Sequence, residues 1–118
     1  MQDLKKRFKE FAIQCAELIQ QLPTNIINRT YSNQLIRSSS STGANYRAAL
    51  RGKSTADFIN KLKIVEEEID ESVYFLELLN HFNQDFQTKI QALLKEGDEL
   101  TAIIVQSIKT TRSRTRTS

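Results

Sequence analysis

The sequence predicts an all-α protein, an antiparallel up-down-up-down left-handed four-helix bundle. In three long segments, apolar residues recur at alternating spacings of three and four, the repeat of a helix with one buried face. Only three glycines and one proline occur in 118 residues, which leaves few turns and disfavours an architecture of many short strands. The segments are joined by short connections, so helices adjacent in sequence are expected to be antiparallel neighbours.

The first helix is predicted over about residues 3–22, where apolar residues from Leu4 to Leu22 keep the 4-3-4 spacing. Pro23 cannot continue a helix and should end this one. Thr24 follows at once and is placed to cap the second helix. A chain of 118 residues forms one domain, and we expect the bundle to occupy residues 1–110.

The second helix, predicted over about 25–51, has too few bulky apolar residues for an ordinary core helix. Its inward row nevertheless has to close the core made by the other three helices, and it is lined by small or polar side chains: Leu35, Ser38, Thr42, Asn45 and Ala49. Asn28 and Tyr31 extend this row towards the start of the helix. We assign a core and register role to four polar residues: Ser38, Ser41, Thr42 and Asn45. A lone Asn in a heptad seam can fix register and partner number, and for Asn45 we favour this role over ligand binding.

Two further helices complete the bundle, at about 54–80 and 85–109. Gly52 ends the second helix, and Ser54 with Asp57 forms a capping signal for the third; Asp85 is placed to cap the fourth. The third helix has the most regular 3-4 pattern of the chain, and it carries apolar residues beyond that seam, for which subunit contact is the expected use: Ile59, Val73, Phe75, Leu78 and Phe82. Residues 111–118 have no apolar anchor and are predicted to be a disordered basic tail.

Positive charge is concentrated near the C-terminus. The net charge is +3, and residues 109–118 contribute four basic residues and no acid. Such a tail is either a solubilising end or a set of phosphate contacts. On the second reading, further basic residues of the second helix and the turn after it extend the surface. The candidate nucleic-acid-binding residues are Arg29, Arg47, Arg51, Lys53, Lys109, Arg112, Arg114 and Arg116.

The residues that catalysis or metal binding would need are scarce. His81 is the only histidine and Cys15 the only cysteine, so the chain offers neither a His/Cys metal cage nor a Cys-His nucleophile pair with a spare ligand. The acidic run at 66–71 lacks the Glu-x-x-His motif of di-metal bundles, and we interpret it as a solvated or ion-pairing face, with Arg37, Arg47 and Arg51 as its natural partners. We predict no catalytic, metal or cofactor site and no enzymatic activity.

Several features indicate a cytoplasmic protein. The sequence has no run of about 18 apolar residues that could span a membrane, and its N-terminus lacks the apolar core of a signal peptide. A single cysteine agrees with a reducing compartment. We therefore expect no membrane partner.

Four stretches carry a resemblance to a known family. They are the run from Asn33 to Ala48, which contains Ser-Thr-Gly-Ala-Asn-Tyr-Arg, and the segments 57–62, 67–79 and 94–100. The sequence resembles the small four-helix-bundle proteins encoded in intervening sequences of bacterial 23S ribosomal RNA genes, a family similar to the accessory protein of diversity-generating retroelements. It departs from that pattern at 38–41, where relatives often carry Ala or another apolar residue. The resemblance implies a ring-like homopentamer with no catalytic activity and a role in binding nucleic acid.

The predicted function is therefore that of a non-enzymatic homo-oligomer that binds RNA or DNA weakly and without sequence preference. The alternative is a scaffold or adaptor for a protein partner, such as the reverse transcriptase with which the retroelement relatives work. That partner would use the apolar surface of Phe75, Leu78 and Phe82, or the acidic run at 66–71. Salt separates the two hypotheses, because phosphate contacts weaken steeply with salt and apolar contacts hardly do.

Overall fold

The computed structural model describes residues 3–117, with side chains described for residues 3–115. It contains four α-helices, α1 (Leu4–Gln21), α2 (Ile26–Leu50), α3 (Thr55–Phe82) and α4 (Gln87–Thr117), and a short 3₁₀ turn, Gln84–Phe86, before α4. The described residues form no strand. Each helix packs against its two neighbours in the order α1, α2, α3, α4, whereas α1 and α3 lie diagonally and their backbones do not approach each other closely. The predicted all-α up-down bundle is confirmed.

Three helix starts are capped by a side chain that accepts a backbone N–H. Asp3 caps α1, Asn25 caps α2 and Ser54 caps α3, and each satisfies one of the free amides of a first helical turn. The prediction for Ser54 is confirmed. The cap of α2 is Asn25 and not Thr24, because the chain stays extended for one more residue after Pro23. Asp85 lies inside the 3₁₀ turn and does not cap α4.

The core contains apolar side chains from all four helices, and α2 contributes mainly small ones. Leu35, Ser38, Thr42 and Ala49 are buried as predicted, and so is Asn28. Apart from Leu35, the largest fully buried side chains come from the other three helices: Phe8, Phe11, Leu18, Leu62, Val65, Ile69, Leu76, Leu79, Ile90, Leu100 and Ile104. Within this core the hydroxyl groups of Ser72 on α3 and Ser38 on α2 are hydrogen-bonded at 2.8 Å.

The core role predicted for Asn45 and Ser41 is corrected by the structure. Both residues are half-buried, and the Asn45 amide donates to the Ser41 carbonyl oxygen and to Ser41 Oγ within α2. At about 100° per residue, Asn45 lies about 80° around the helix from Leu35 and Ser41 about 120°. Ser39, which lies only about 40° from Leu35, is buried instead. Positions that repeat strictly every seven residues shift gradually around a straight helix of 3.6 residues per turn, and this shift moves Asn45 away from the core-facing side.

Helix α4 ends at Thr117, eight residues past the predicted end near 109. Residues 111–117 are therefore helical where the sequence predicts disorder, and Ser118 lies outside the described residues. No glycine or proline follows Gly97 to stop the helix. The Thr111 hydroxyl donates to the Ser107 carbonyl at 2.7 Å and the Thr115 hydroxyl to the Thr111 carbonyl at 2.9 Å, so these threonines turn their polar groups onto the helix itself. Within the described chain, no helix has the length and apolar character to cross a membrane.

Candidate nucleic-acid interface

The antiparallel order of the helices gathers most of the predicted basic residues at one end of the bundle. At this end α2 ends and α3 begins, and the last turns of α4 pass beside the turn between α2 and α3. Lys53 and Thr111 line the same open cleft of about 320 Å³. Arg51 and Lys53 thus share one end of the bundle with the exposed cations of the last turns of α4, which are Lys109, Arg112 and Arg114, although Lys109 lies about 160° around the helix from Thr111. We call these five cations the basic end.

Few carboxylates oppose the basic end. Asp57 accepts from the Lys53 backbone N–H at 3.3 Å, and Asp3 accepts from the Lys6 backbone N–H at 3.2 Å. Both carboxylates thus serve the first turns of helices. With Asp3 and Asp57 engaged as helix caps, Arg51, Lys53, Lys109 and Arg112 give this end positive charge that can attract phosphate.

Two of the predicted basic residues lie elsewhere. Arg47 lies one turn before the end of α2 and lines the groove between α1 and α2 together with Lys5 and Lys9. Arg29 lies at the opposite end of the bundle, beside Pro23, and 18 residues of helix at 1.5 Å each place it about 27 Å from Arg47. Arg29 is therefore not part of one continuous basic surface with the others. The side chain of Arg116 is outside the described side chains.

Lys5 and Lys9 are basic residues that the sequence reasoning missed. They are four residues apart on α1, so they share one helical face, and both are exposed. The i, i+4 spacing of Lys5 and Lys9 was enough to predict that both side chains lie on one face of α1. Their proximity to Arg47 was not readable in advance, because it depends on how α1 packs against α2.

Ion pairs hold other charged residues within the bundle. On the α2–α3 seam Arg37 pairs with Glu68 at 3.3 Å and also with Glu71, as predicted for the acidic run. Arg47 and Arg51, the other predicted partners, make no ion pair with that run in the described part of the chain. The described residues contain no group of three or more His, Cys, Asp or Glu side chains placed to hold a metal ion.

The α1–α4 seam is bridged by Arg7. Its Nε and Nη2 donate to the two carboxylate oxygens of Glu96 at 2.8 and 2.7 Å, and Nη2 also donates to Glu99 at 2.7 Å. The hydrogen bond with Glu96 is the largest cause that raises the pKa of Arg7 above its ordinary value, so this arginine stays charged at any pH where the protein folds.

Cys15, Tyr46 and His81 lie in three different surroundings. Cys15 is buried, and burial raises the pKa of its thiol to about 12, which keeps it protonated and inert. Burial also raises the pKa of Tyr46, and the negative charge of Asp3 adds to this effect. His81 is exposed at the end of α3, with its ring edge-on to Phe82 at 4.9 Å.

The chain is similar to known proteins in both sequence and fold. The family described as 23S rRNA-intervening sequence protein matches residues 2–106. The crystal structure of a protein of unknown function from the S23 ribosomal protein family, from Bacteroides thetaiotaomicron, superposes with a TM-score of 0.80 at 31% sequence identity, over 91% of this chain and 99% of that one. No curated protein matches the sequence. The family match ends before Lys109, so three cations of the basic end lie beyond it. Because the match covers nearly the whole chain, the protein belongs to the family of 23S rRNA-intervening sequence proteins.

Proposed function

We propose that this protein is a non-enzymatic homo-oligomer that binds the phosphate backbone of RNA or DNA, weakly and without sequence preference, through the basic end. The observation that carries the proposal is the cleft that Lys53 and Thr111 share. It joins the basic turn after α2 to the basic last turns of α4, two segments more than 50 residues apart in sequence.

The chemistry at this end favours contact with phosphate over reading of bases. Sequence is read by groups that reach base edges or by aromatic rings on which bases stack. The basic end offers neither a carboxamide nor an exposed aromatic ring among its described residues, since Phe58 in the same cleft is half-buried. Lys and Arg side chains that neutralise phosphates release counterions, so the affinity should depend steeply on salt.

Assembly would strengthen such weak contacts. Several copies of one basic end, held in one particle, bind a single strand with a raised effective concentration. The exposed side chains of Ile26 (68%), Tyr74 (56%) and Phe82 (49%) leave apolar surface available for contact between copies. The family resemblance favours a pentamer, which would have a mass of about five times 13.6 kDa.

Fluorescence anisotropy with a labelled 20-nucleotide single-stranded RNA, measured at several salt concentrations, tests this proposal. If all five cations neutralise phosphates, log K should fall with log salt with a slope of about −3.5 per protomer, at about −0.7 per phosphate. The double variant Arg51→Ala with Lys53→Ala should bind more weakly, with a slope shallower by about 1.4. Arg29→Ala is the matched control, because Arg29 lies at the other end. Binding that is absent, or that both variants leave equal to wild type, would refute the proposal.

A scaffold that binds a protein partner is the second candidate function. A cluster of aromatic residues supports it: the ring of Tyr31 lies 6.1 Å from that of Phe75 and 6.2 Å from that of Phe82, at the α2–α3 seam. Docking of a partner on this cluster would depend little on salt. It would be lost in Phe82→Ser and retained in the Arg51 and Lys53 variant.

A further inference from the structure

Three exposed carboxylates on α3 lack a partner of opposite charge. Glu67, Asp70 and Glu77 flank the exposed ring of Tyr74 at spacings of three and four residues, so the four side chains lie along one side of the helix. Among the described residues, none of these carboxylates has a cation within 4 Å, whereas the neighbouring Glu68 and Glu71 are held by Arg37. We call Glu67, Asp70, Tyr74 and Glu77 the acidic strip.

Three cations on another face are also unpaired. Lys5, Lys9 and Arg47 line an open groove of about 320 Å³ between α1 and α2, and none of them has a carboxylate within 4 Å in the described part of the chain. Small side chains leave room between the cations, and no carboxylate lines the groove. The remaining lining residues are Phe8, Ala12, Ser40, Gly43 and Ala44. We call this surface the basic groove.

The two surfaces cannot meet within one copy. Helices α1 and α3 are diagonal, and their backbones do not approach each other closely. At about 100° per residue, the members of the acidic strip lie about 100–180° around α3 from the buried Leu76, and the ring of Tyr74 also lies edge-on to that of Phe75 at 5.3 Å. The strip therefore points away from the α1–α2 face, where the groove lies. Each molecule thus carries two surfaces of complementary charge that do not pair with each other within one copy.

We infer that the acidic strip of one copy docks into the basic groove of a second copy. This inference rests on the proposed homo-oligomer and names its contact surfaces. Three carboxylates meet three cations, and the small side chains at Ala12, Gly43 and Ala44 give the ring of Tyr74 a place to pack. The contact uses different surfaces on the two partners, so it is head-to-tail, and repeated addition closes a ring or extends a filament.

Charge reversals test the pairing of these surfaces. Lys9→Glu with Arg47→Glu reverses the groove, and Asp70→Lys with Glu77→Lys reverses the strip. Like charges now face each other in either variant, so the apparent dissociation constant of the assembly should rise about tenfold or more, as measured by light scattering and sedimentation in 0.15 M salt. Arg29→Glu with Lys95→Glu, which makes the same change in net charge as the groove reversal but elsewhere on the surface, should assemble like wild type.

The stronger test is to restore the charge pairing between the two reversed surfaces. An equimolar mixture of the groove-reversed and strip-reversed proteins should assemble again, because each reversed surface finds its complement on the other variant. A single chain with all four substitutions should also self-associate. Unchanged circular dichroism and melting temperature of the dissociated variants would show that the loss of assembly is not a loss of folding.

The possible failures have different meanings. If wild type assembles and neither reversal alters its size, or if the mixture stays dissociated, this surface assignment is wrong while the proposed oligomer stands. If groove reversal abolishes RNA binding and leaves the assembly intact, the groove is a nucleic-acid surface and the inference is overturned. A wild-type protein that stays monomeric at every concentration overturns both the inference and the proposed homo-oligomer.

Discussion

The side-chain amides of Asn28 and Asn83, 55 residues apart, form a reciprocal pair: Asn28 Nδ2 donates to Asn83 Oδ1 at 2.9 Å, and Asn83 Nδ2 donates to Asn28 Oδ1 at 2.8 Å. Each amide also donates to a backbone carbonyl, Asn28 to that of Pro23 and Asn83 to that of Leu79. Both residues are buried. This pair joins the first turn of α2 to the residue that caps the end of α3.

Asn83→Ala should lower the free energy of unfolding by about 1–3 kcal/mol, because it leaves the buried Asn28 amide without its partner. Urea denaturation at a fixed protein concentration measures the change, since assembly makes stability depend on concentration. Asn33→Ala, on the exposed face of α2, is the control and should change stability by less than about 0.5 kcal/mol. In the double variant with Asn28→Ala the loss should be smaller than the sum of the single losses. Strict additivity would mean that the two amides do not interact in solution.

Two glycines allow helices to approach closely, and they should respond differently to alanine. A Cβ at Gly97 of α4 would lie 2.8 Å from Val73 Cγ2 on α3, and Val73 is stiff because it is branched at Cβ. Gly97→Ala should therefore destabilise the protein by about 1–3 kcal/mol. A Cβ at Gly43 would lie 3.4 Å from Phe8 Cβ, so Gly43→Ala should be tolerated and can gain up to about 1 kcal/mol of helix propensity.

Combining Gly97→Ala with Val73→Ala provides the check on that explanation. The second substitution removes the methyl group that the new Cβ would strike, so the pair should cost less than the two single changes added together. Thermal denaturation of the four proteins gives the comparison. Equal stability of Gly97→Ala and wild type would contradict the close approach of α3 and α4 at this point.

The Arg7 bridge should depend on the shape of the guanidinium group. Arg7→Lys keeps the charge but loses the fork that binds both oxygens of Glu96, and we expect a loss of up to about 1 kcal/mol, because the side chains are partly exposed. Arg29 makes no ion pair with another described residue, so Arg29→Lys should leave the free energy of unfolding unchanged. If Arg7→Lys is also neutral by urea denaturation, the α1–α4 seam depends on apolar packing and not on this bridge.

The four helices could be predicted because each one buries a row of side chains on one face. The residues of such a row recur every three or four positions within one segment of the sequence. The observed ends of α1, α2 and α3 lie within about two residues of the predicted ones because Pro23, Gly52 and Asn83 mark them. The end of α4 was not predicted, because low apolar content was interpreted as disorder although no residue there breaks a helix. Asn45 was misplaced because a heptad count ignores the drift of a 3.6-residue helix.

The features that depend on packing could not be predicted in this way. Asn28 was expected to face inward, but nothing in its neighbourhood points to Asn83. The cleft shared by Lys53 and Thr111 and the groove shared by Lys9 and Arg47 likewise join residues that have no local relation in sequence. Arg29 was grouped with the other basic candidates by charge alone, and the length of α2 places it at the other end of the bundle.

Stability should fall at alkaline pH because of Cys15. Its ordinary pKa is 9.0 and burial raises it to about 12, so above pH 9 the unfolded chain releases a proton that the native protein keeps. The unfolded state is therefore favoured as the pH rises from about 9 to about 12, and the loss amounts to about 1.4 kcal/mol at pH 10. Cys15→Ala removes this contribution and leaves that of Tyr46, whose pKa is also raised by burial, in place.

Urea denaturation of wild type and Cys15→Ala at pH 8 and pH 10 isolates the contribution of the Cys15 thiol to stability. Between these values wild type should lose about 1–1.5 kcal/mol more than Cys15→Ala, even though the variant starts from a lower stability because of the cavity it creates. Below pH 8 the difference between the two proteins should be constant, since the thiol is protonated in both states. Equal losses would mean that the native thiol ionises as readily as the unfolded one and that solvent reaches Cys15 between α1 and Ser39 of α2.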